Sequence, residues 1–281
     1  MSQSPSANKN PQAEQMADES MVRCLAAQAQ AVWPQERLLI DRYGLAADIK
    51  VLDIACGTGE FSERFARHKT GAHVSGVDLE AAHVGTAIER CKDISSRTEF
   101  GVGDAFALDF ADREFDFVAA RHFLQAIPQP ELAMREAIRV TKPGGRIHVV
   151  AEDYSMMHFH PTGDLDCDDF WRHGPITFAA KTGTDLRGGR KMFTMMRELG
   201  LEDVTVEHIV VDTTRVPRAT FAAIWTAWRD GYSDAIATKT KFTADEARAY
   251  FDAMIAAIED PNGYGLWNLP VVTGLVPVAT R

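Results

Sequence analysis

The sequence predicts an α/β fold: a mostly parallel sheet with helices on both faces. Three observations predict it. Val51-Leu52-Asp53-Ile54 is a short apolar run that ends in Ala55-Cys56-Gly57-Thr58-Gly59 and passes straight into a helical pattern. Glycine in such a strand-to-helix turn lets the backbone approach a ligand without a Cβ, at a helix N-terminus that favours negative charge. Val74-Ser75-Gly76-Val77 is a second apolar run, and it ends in Asp78, 19 residues beyond Gly59. Strand-like and helix-like stretches then alternate throughout 49–153. That alternation requires right-handed crossovers and a sheet buried on both faces.

The elements follow in order. Met21, Leu25 and Ala29 recur at helical spacing within 17–31. Pro34 suits the first turn of a second helix, with Leu38, Leu39 and Tyr43 as its apolar face and Gly44 as its end. Strands are expected near 50–55, 73–78, 98–102, 115–120 and 146–151. A helix over 131–140 is stopped by Lys142-Pro143-Gly144-Gly145. Periodicity weakens over 153–184, which is rich in His, Asp, aromatic residues and Gly. A helix over 185–199, a strand over 204–211, helices over 217–237 and 243–258, and a strand over 264–278 complete the chain. The expected architecture is therefore seven strands, with N-terminal helices and a helical insertion before the last strand. In domain terms, 1–15 is a disordered tail and 16–281 a single domain. Its core is 45–152, with elaborations at 153–184 and 213–262 that serve as a lid, as the acceptor site or as a homodimer surface.

Composition narrows the partners. The chain has 281 residues and a net charge of −10. An acidic balance without a Lys/Arg run argues against nucleic acid, whose binders present a basic face. The nearest basic stretch, Arg187-Gly188-Gly189-Arg190-Lys191, reads as a solvated helix start. The cysteines, Cys24, Cys56, Cys91 and Cys167, show no Cys-x-x-Cys spacing, so neither a zinc site nor a redox pair is expected. Reduced thiols, no apolar run of about 18 residues and no apolar signal region point to a cytoplasmic protein without a membrane role.

The glycine turn alone suits two cofactor classes. A dinucleotide fold wants a third glycine where this chain has Ser62. Further motifs follow at regular intervals: Gly103-Asp104-Ala105, Phe115-Asp116-Phe117-Val118 and Lys142-Pro143-Gly144-Gly145. In that order, over roughly 45–152, the chain resembles the class I S-adenosylmethionine-dependent methyltransferases, and in particular their small-molecule, ubiquinone-biosynthesis-like branch. The resemblance implies a Rossmann-like sheet whose seventh strand is antiparallel, with S-adenosylmethionine as methyl donor. It implies a small-molecule acceptor methylated on nitrogen or oxygen. Rival readings are a catalytically silent S-adenosylmethionine-binding protein and an NAD-dependent oxidoreductase.

The resemblance also implies the cofactor residues. The N–H groups of Gly57 to Gly59 would face the methionine carboxylate. Asp78 would take the ribose diol, although an acid there also reads as a helix N-cap. Asp104 would take the adenine amine and Ala105 its ring nitrogen. Asp53 would order the surroundings of the methionine amine, and Leu79 and Arg121 complete the set. A general base should lie just past strands four and five. Arg121-His122-Phe123-Leu124-Gln125-Ala126-Ile127 follows strand four, and Ala126 stands where related enzymes often carry His. Beyond Glu152-Asp153-Tyr154, His158 is the expected base and Asp153 the expected acceptor-binding group, because His titrates in the working range. Gln28 and Trp33 could reach ligand from the N-terminal helices. Tyr154, Trp171, Trp225, Trp228, Tyr264 and Trp267 could form an aromatic cage, with half of them expected in the core. The His158, His160, Asp164–Asp169 cluster reads as a solvated loop rather than a metal site.

Overall fold

A computed structural model describes Pro11 and residues 18–278, so the expected tail lies outside the described residues apart from Pro11. Its strands are β1 (Lys50–Ile54), β2 (His73–Asp78), β3 (Thr98–Val102), β4 (Phe115–Arg121), β5 (Thr141–Val150), β6 (Met157–His160), β7 (Glu202–Asp212) and β8 (Tyr264–Leu275). They form one eight-stranded sheet among the described residues, in the order β3-β2-β1-β4-β5-β8, with β7 on the far edge of β8. β1 to β5 are mutually parallel, and β8 runs antiparallel to β5, β6 and β7.

The strand beyond the expected seven is β6. It continues the edge that β5 occupies: Val150 pairs with Val271, and Met157 then pairs with Trp267. Four residues inside a polar stretch leave too short an alternation to read from sequence.

The helices are α1 (Glu19–Arg42), α2 (Glu60–His68), α3 (Ala81–Arg90), α4 (Pro130–Val140), α5 (Cys167–His173), α6 (Pro175–Thr182), α7 (Gly189–Glu198), α8 (Arg218–Lys239) and α9 (Ala244–Glu259). The expected pair of N-terminal helices is one helix, α1, that runs through Pro34. Proline removes a hydrogen bond to the carbonyl four residues earlier. Here both Pro34 and Gln30 are exposed, so water can take that carbonyl. The opposite face buries Ala31, Val32, Glu36, Leu39 and Ile40, which carries the helix across the break. α7 begins four residues later than expected. Asp185 to Gly188 form a turn, and the Gly189 N–H donates to the Glu152 carbonyl at 2.8 Å.

Period-two alternation sorts the sheet into two cores. Val51, Phe117 and Ala119 pack under α1 and α2, whereas Leu52, Ile54, Val118 and Ile147 pack with Met134 and Met196 of α4 and α7. A third core, with Phe221, Trp225, Phe251, Met254 and Trp267 at its centre, joins α8 and α9 to α1, α5 and β8. The inserted helices therefore roof the carboxyl end of β5. No helix of the described residues is long and apolar enough to cross a membrane.

Candidate functional site

The carboxyl ends of β1 to β5 converge on one cavity of about 210 Å³. On its first side lies the glycine turn. Ala55, Gly57 and Gly59 have φ of +56°, +53° and +77°. A Cβ on Gly57 would come 2.9 Å from Leu25 of α1, so glycine is what allows α1 to close over the turn. Asp78 clamps the same turn: its Oδ2 accepts the Gly57 N–H at 2.8 Å while Oδ1 accepts the Glu80 N–H at 2.9 Å. Gly57, Asp78, Leu79, Asp104 and Ala105 all line the cavity. Asp104 shapes its own loop by accepting the Phe106 N–H at 2.9 Å.

This corrects one expectation. The Gly57 N–H is engaged by Asp78, and the Gly59 N–H donates to the Cys56 carbonyl at 3.0 Å. The turn is thus no open anion cradle at those two groups, and Gly59 does not line the cavity. Its tightness serves packing, since a Cβ there would meet Ala87 of α3 at 2.9 Å.

The opposite side is built by His122, Gln125 and Glu152. His122 Nδ1 lies 2.7 Å from Glu152 Oε1. His122 sits at φ +58°, a conformation costly for a side chain that bulky and held only when its surroundings over-determine it. They do. Its N–H donates to the Val150 carbonyl at 3.1 Å, its carbonyl accepts Gln125 Nε2 at 2.9 Å, and its ring packs 6.0 Å from that of Trp267. His122 Nε2, Glu152 Oε2 and Gln125 Oε1 are buried without a hydrogen-bond partner. Three such polar atoms cluster on this one wall of the cavity.

Tyr154, Leu186, Trp228 and Tyr232 close this side and continue into an apolar annex of about 30 Å³, which Trp171, Phe178 and Phe251 also line. Tyr154 stacks on Trp228 with centroids 5.3 Å apart at 27°. Gln28 reaches the cavity from α1. Trp33 does not: it packs edge-on to Phe61 and His68. Trp225 and Trp267 are core, and Tyr264 is exposed.

The two expected catalytic groups lie elsewhere. His158 is exposed on β6 and does not line the cavity. Asp153 is fully buried and held by Arg190 at 2.6 and 3.0 Å, which ties the start of α7 to the end of β5. The basic stretch 187–191 is spent on this pair and on Asp185. Asp53 is also off the cavity. It sits on the α1 side of the sheet, accepts Ser62 Oγ at 2.7 Å, and is pushed up to about 7 by burial. Arg121 does line the cavity, but Glu36 binds it at 2.7 and 2.9 Å. Burial would raise the Glu36 carboxyl; Arg121 and His148 outweigh it and hold the group at about 2. No group of three or more His, Cys, Asp or Glu in the described residues is arranged to hold a metal, and Asp166 and Asp169 serve α5 and Lys241 instead.

Sequence reasoning passed over the His122–Glu152 pair, although a signal was present. Arg121 and Val150 are register partners at the ends of adjacent parallel strands. The residues just past those ends are therefore neighbours at the edge where α/β sheets bind ligands.

Residues 51–145 match a family model described as a methyltransferase domain. The demethylmenaquinone methyltransferase of Renibacterium salmoninarum is 40% identical over 126 residues, 45% of this chain and 48% of that protein. The chain thus spans about half the length of the curated relatives it matches. Among solved structures, the [4+2]-cyclase SpnF superposes with TM-score 0.58 at 20% identity, over 99% of this chain and 100% of that one. A Haemonchus contortus phosphoethanolamine N-methyltransferase 2 gives TM-score 0.55 at 21% identity, over 88% of this chain and 53% of that one. Neighbours so different in chemistry speak for the fold alone. Matched segment, strand order and antiparallel last strand together support a class I S-adenosylmethionine-dependent methyltransferase.

Proposed function

We propose that the protein transfers the methyl group of S-adenosylmethionine to a nitrogen or oxygen of a small molecule. The observation that supports this is the single cavity, which joins the glycine turn, Asp78 and Asp104 to the His122–Glu152 wall. A donor and an acceptor held there share one chamber, and alignment in a closed site is most of what such a displacement requires.

The donor set suits the cofactor. Asp78 keeps lone pairs for ribose hydroxyls after its bonds to Gly57 and Glu80. Leu79, Ala105 and Phe106 offer an apolar slot for a purine, with Asp104 beside it for an exocyclic amine. When bound, S-adenosylmethionine supplies an electrophilic methyl on a sulfonium. The chain supplies the proton acceptor. His122 Nδ1 lies 2.7 Å from Glu152 Oε1, and with the ring proton on Nδ1 its Nε2 would be left as the accepting atom. An acceptor N–H or O–H bonded to Nε2 gives up its proton there as its heavy atom is methylated.

The test is calorimetry of the full chain with S-adenosylmethionine, S-adenosylhomocysteine and NAD, then incubation of labelled methyl donor with a metabolite extract. Micromolar binding of the first two and labelled product are expected. Binding without any product would leave a silent binder, and NAD binding alone would reject the reading.

A further inference from the structure

We propose that the acceptor is an uncharged or cationic molecule with an apolar body, and that phosphorylated and carboxylated acceptors are excluded. This deepens, and rests on, the methyl-transfer reading above.

The first ground is charge. Among the described residues that line the cavity, Asp78, Glu80, Asp104 and Glu152 are carboxylates, and there is no lysine. The one arginine, Arg121, has its guanidinium bound in two places by Glu36, which is wholly buried. Its charge is spent before any ligand arrives. The remaining basic groups are His83 and His122. His83 Nδ1 lies 3.8 Å from Asp78, and His122 is bound by Glu152. An acceptor phosphate or carboxylate at the His122–Glu152 wall would lie against Glu152 with no unpaired cation of the chain beside it, in a medium where like charges repel far more than in water.

The second ground is hydrogen bonding. Glu152 is 1% exposed and Gln125 5% exposed, and both line the cavity; the Tyr154 hydroxyl lies against the Glu152 carboxylate, while Glu152 Oε2 and Gln125 Oε1 remain without a close hydrogen-bond partner. Ionised carboxylate and amide oxygens only accept. His122 Nε2 accepts as well when the ring proton sits on Nδ1 beside Glu152. The wall therefore asks for donors, which an amine, an ammonium or a hydroxyl supplies and an anion lacks.

The third ground is shape. Beside this wall stand the stacked faces of Tyr154 and Trp228, with Leu186 and Tyr232 and then the annex lined by Trp171 and Phe178. Tyr154 and Trp228 stack on each other, so what they offer with Leu186 and Tyr232 is a largely aromatic, apolar lining that suits an apolar body and adds cation–π attraction if that body carries positive charge.

The experiment uses four probes that share one ring system: 1-naphthylmethylamine, 1-naphthol, 1-naphthoate and 1-naphthyl phosphate. Each is titrated into the full chain saturated with S-adenosylhomocysteine. The amine and the naphthol should bind at least about 100-fold more tightly than the two anions. In Glu152→Gln the gap should shrink about tenfold, with S-adenosylhomocysteine affinity unchanged. Should that variant lose S-adenosylhomocysteine binding, Gln125→Glu replaces it, and there the gap between amine and phosphate should widen. Anions that bind as well as the amine overturn the proposal. So does a gap that neither variant moves, or a loaded protein that binds none of the four. Failure of the wild-type chain to bind S-adenosylhomocysteine would instead defeat the methyl-transfer reading itself.

Discussion

His122 Nδ1 stands 2.7 Å from Glu152 Oε1, and the far atom of each group, Nε2 and Oε2, is left buried and unpartnered in the cavity wall. The pair is made by topology. β4 and β5 are parallel neighbours, and the residues just beyond them emerge side by side at the sheet's carboxyl edge. A histidine held by a buried carboxylate at φ +58° is a fixed group rather than a roaming one. Fixed orientation is what a proton acceptor needs when the rest of the work is alignment.

His122→Gln should lower kcat about 10²-fold if Nε2 takes the acceptor proton. S-adenosylhomocysteine affinity should change by less than about threefold, because the ring lies across the cavity from the glycine turn. Glu152→Gln should lower kcat in the same direction, since the amide no longer enforces the tautomer. Single-turnover rates for both variants, beside calorimetry, check this. An unchanged rate in His122→Gln would remove His122 from the chemistry.

Asp78→Ala should weaken cofactor binding by roughly 1.5–3 kcal/mol, the value of hydrogen bonds to an ionised acceptor. Two contributions add here. The carboxylate faces the proposed ribose site, and it also holds the Gly57 N–H that shapes the turn. Asp78→Asn keeps one acceptor oxygen and should fall between wild type and alanine. Calorimetry with S-adenosylmethionine separates the three proteins.

His158 and Asp153 should behave unlike catalytic residues, and unlike each other. His158 is exposed on β6, so His158→Ala should leave kcat, KM and melting temperature near wild type. Asp153 is wholly buried and paired with Arg190, so Asp153→Ala strands a guanidinium and removes the tie between β5 and α7. Arg190 is about half exposed, which limits the loss to roughly 1–3 kcal/mol. Thermal melting should show it, with cofactor affinity retained.

The parallel core was legible because its signals are local. Residues 51–54 and 74–77 are short strand-like runs leading into Gly57 and Asp78, and they are paired parallel strands in the structure. Asp78, Leu79, Asp104 and Ala105 line the cavity, since each sits at a strand end or in the turn after it. What escaped depends on contacts across the chain. α1 runs through Pro34 because its far face is buried, which no window of sequence displays. Asp153 and Glu152 are adjacent acids, yet one meets Arg190 and the other His122, and only the packing of α7 tells them apart. His158 drew attention by residue type, whereas His122 is defined by where β4 ends.

Asp53 supplies a test of stability against pH. Buried beside Ser62 and close to Glu36 and Asp78, it titrates near 7 in the folded protein against an ordinary 3.8. Burial is the main cause, and the Ser62 hydroxyl and Arg121 only partly offset it. Between those two values the folded chain holds a proton that the unfolded chain has released. Stability from this group is therefore full below 3.8 and declines as pH rises through 7, by at most about 4 kcal/mol. Asp53→Asn cannot ionise and keeps a carbonyl oxygen for Ser62. Relative to wild type, its melting temperature should rise between pH 5.5 and pH 8.5 by the part of that decline lying in this window, about 2 kcal/mol or several degrees. Since Asp53 does not line the cavity, S-adenosylhomocysteine affinity should stay within about threefold. Parallel melting curves across the pH range would show that the carboxyl ionises freely in the folded state. A large loss of affinity would show that it reaches the cofactor after all.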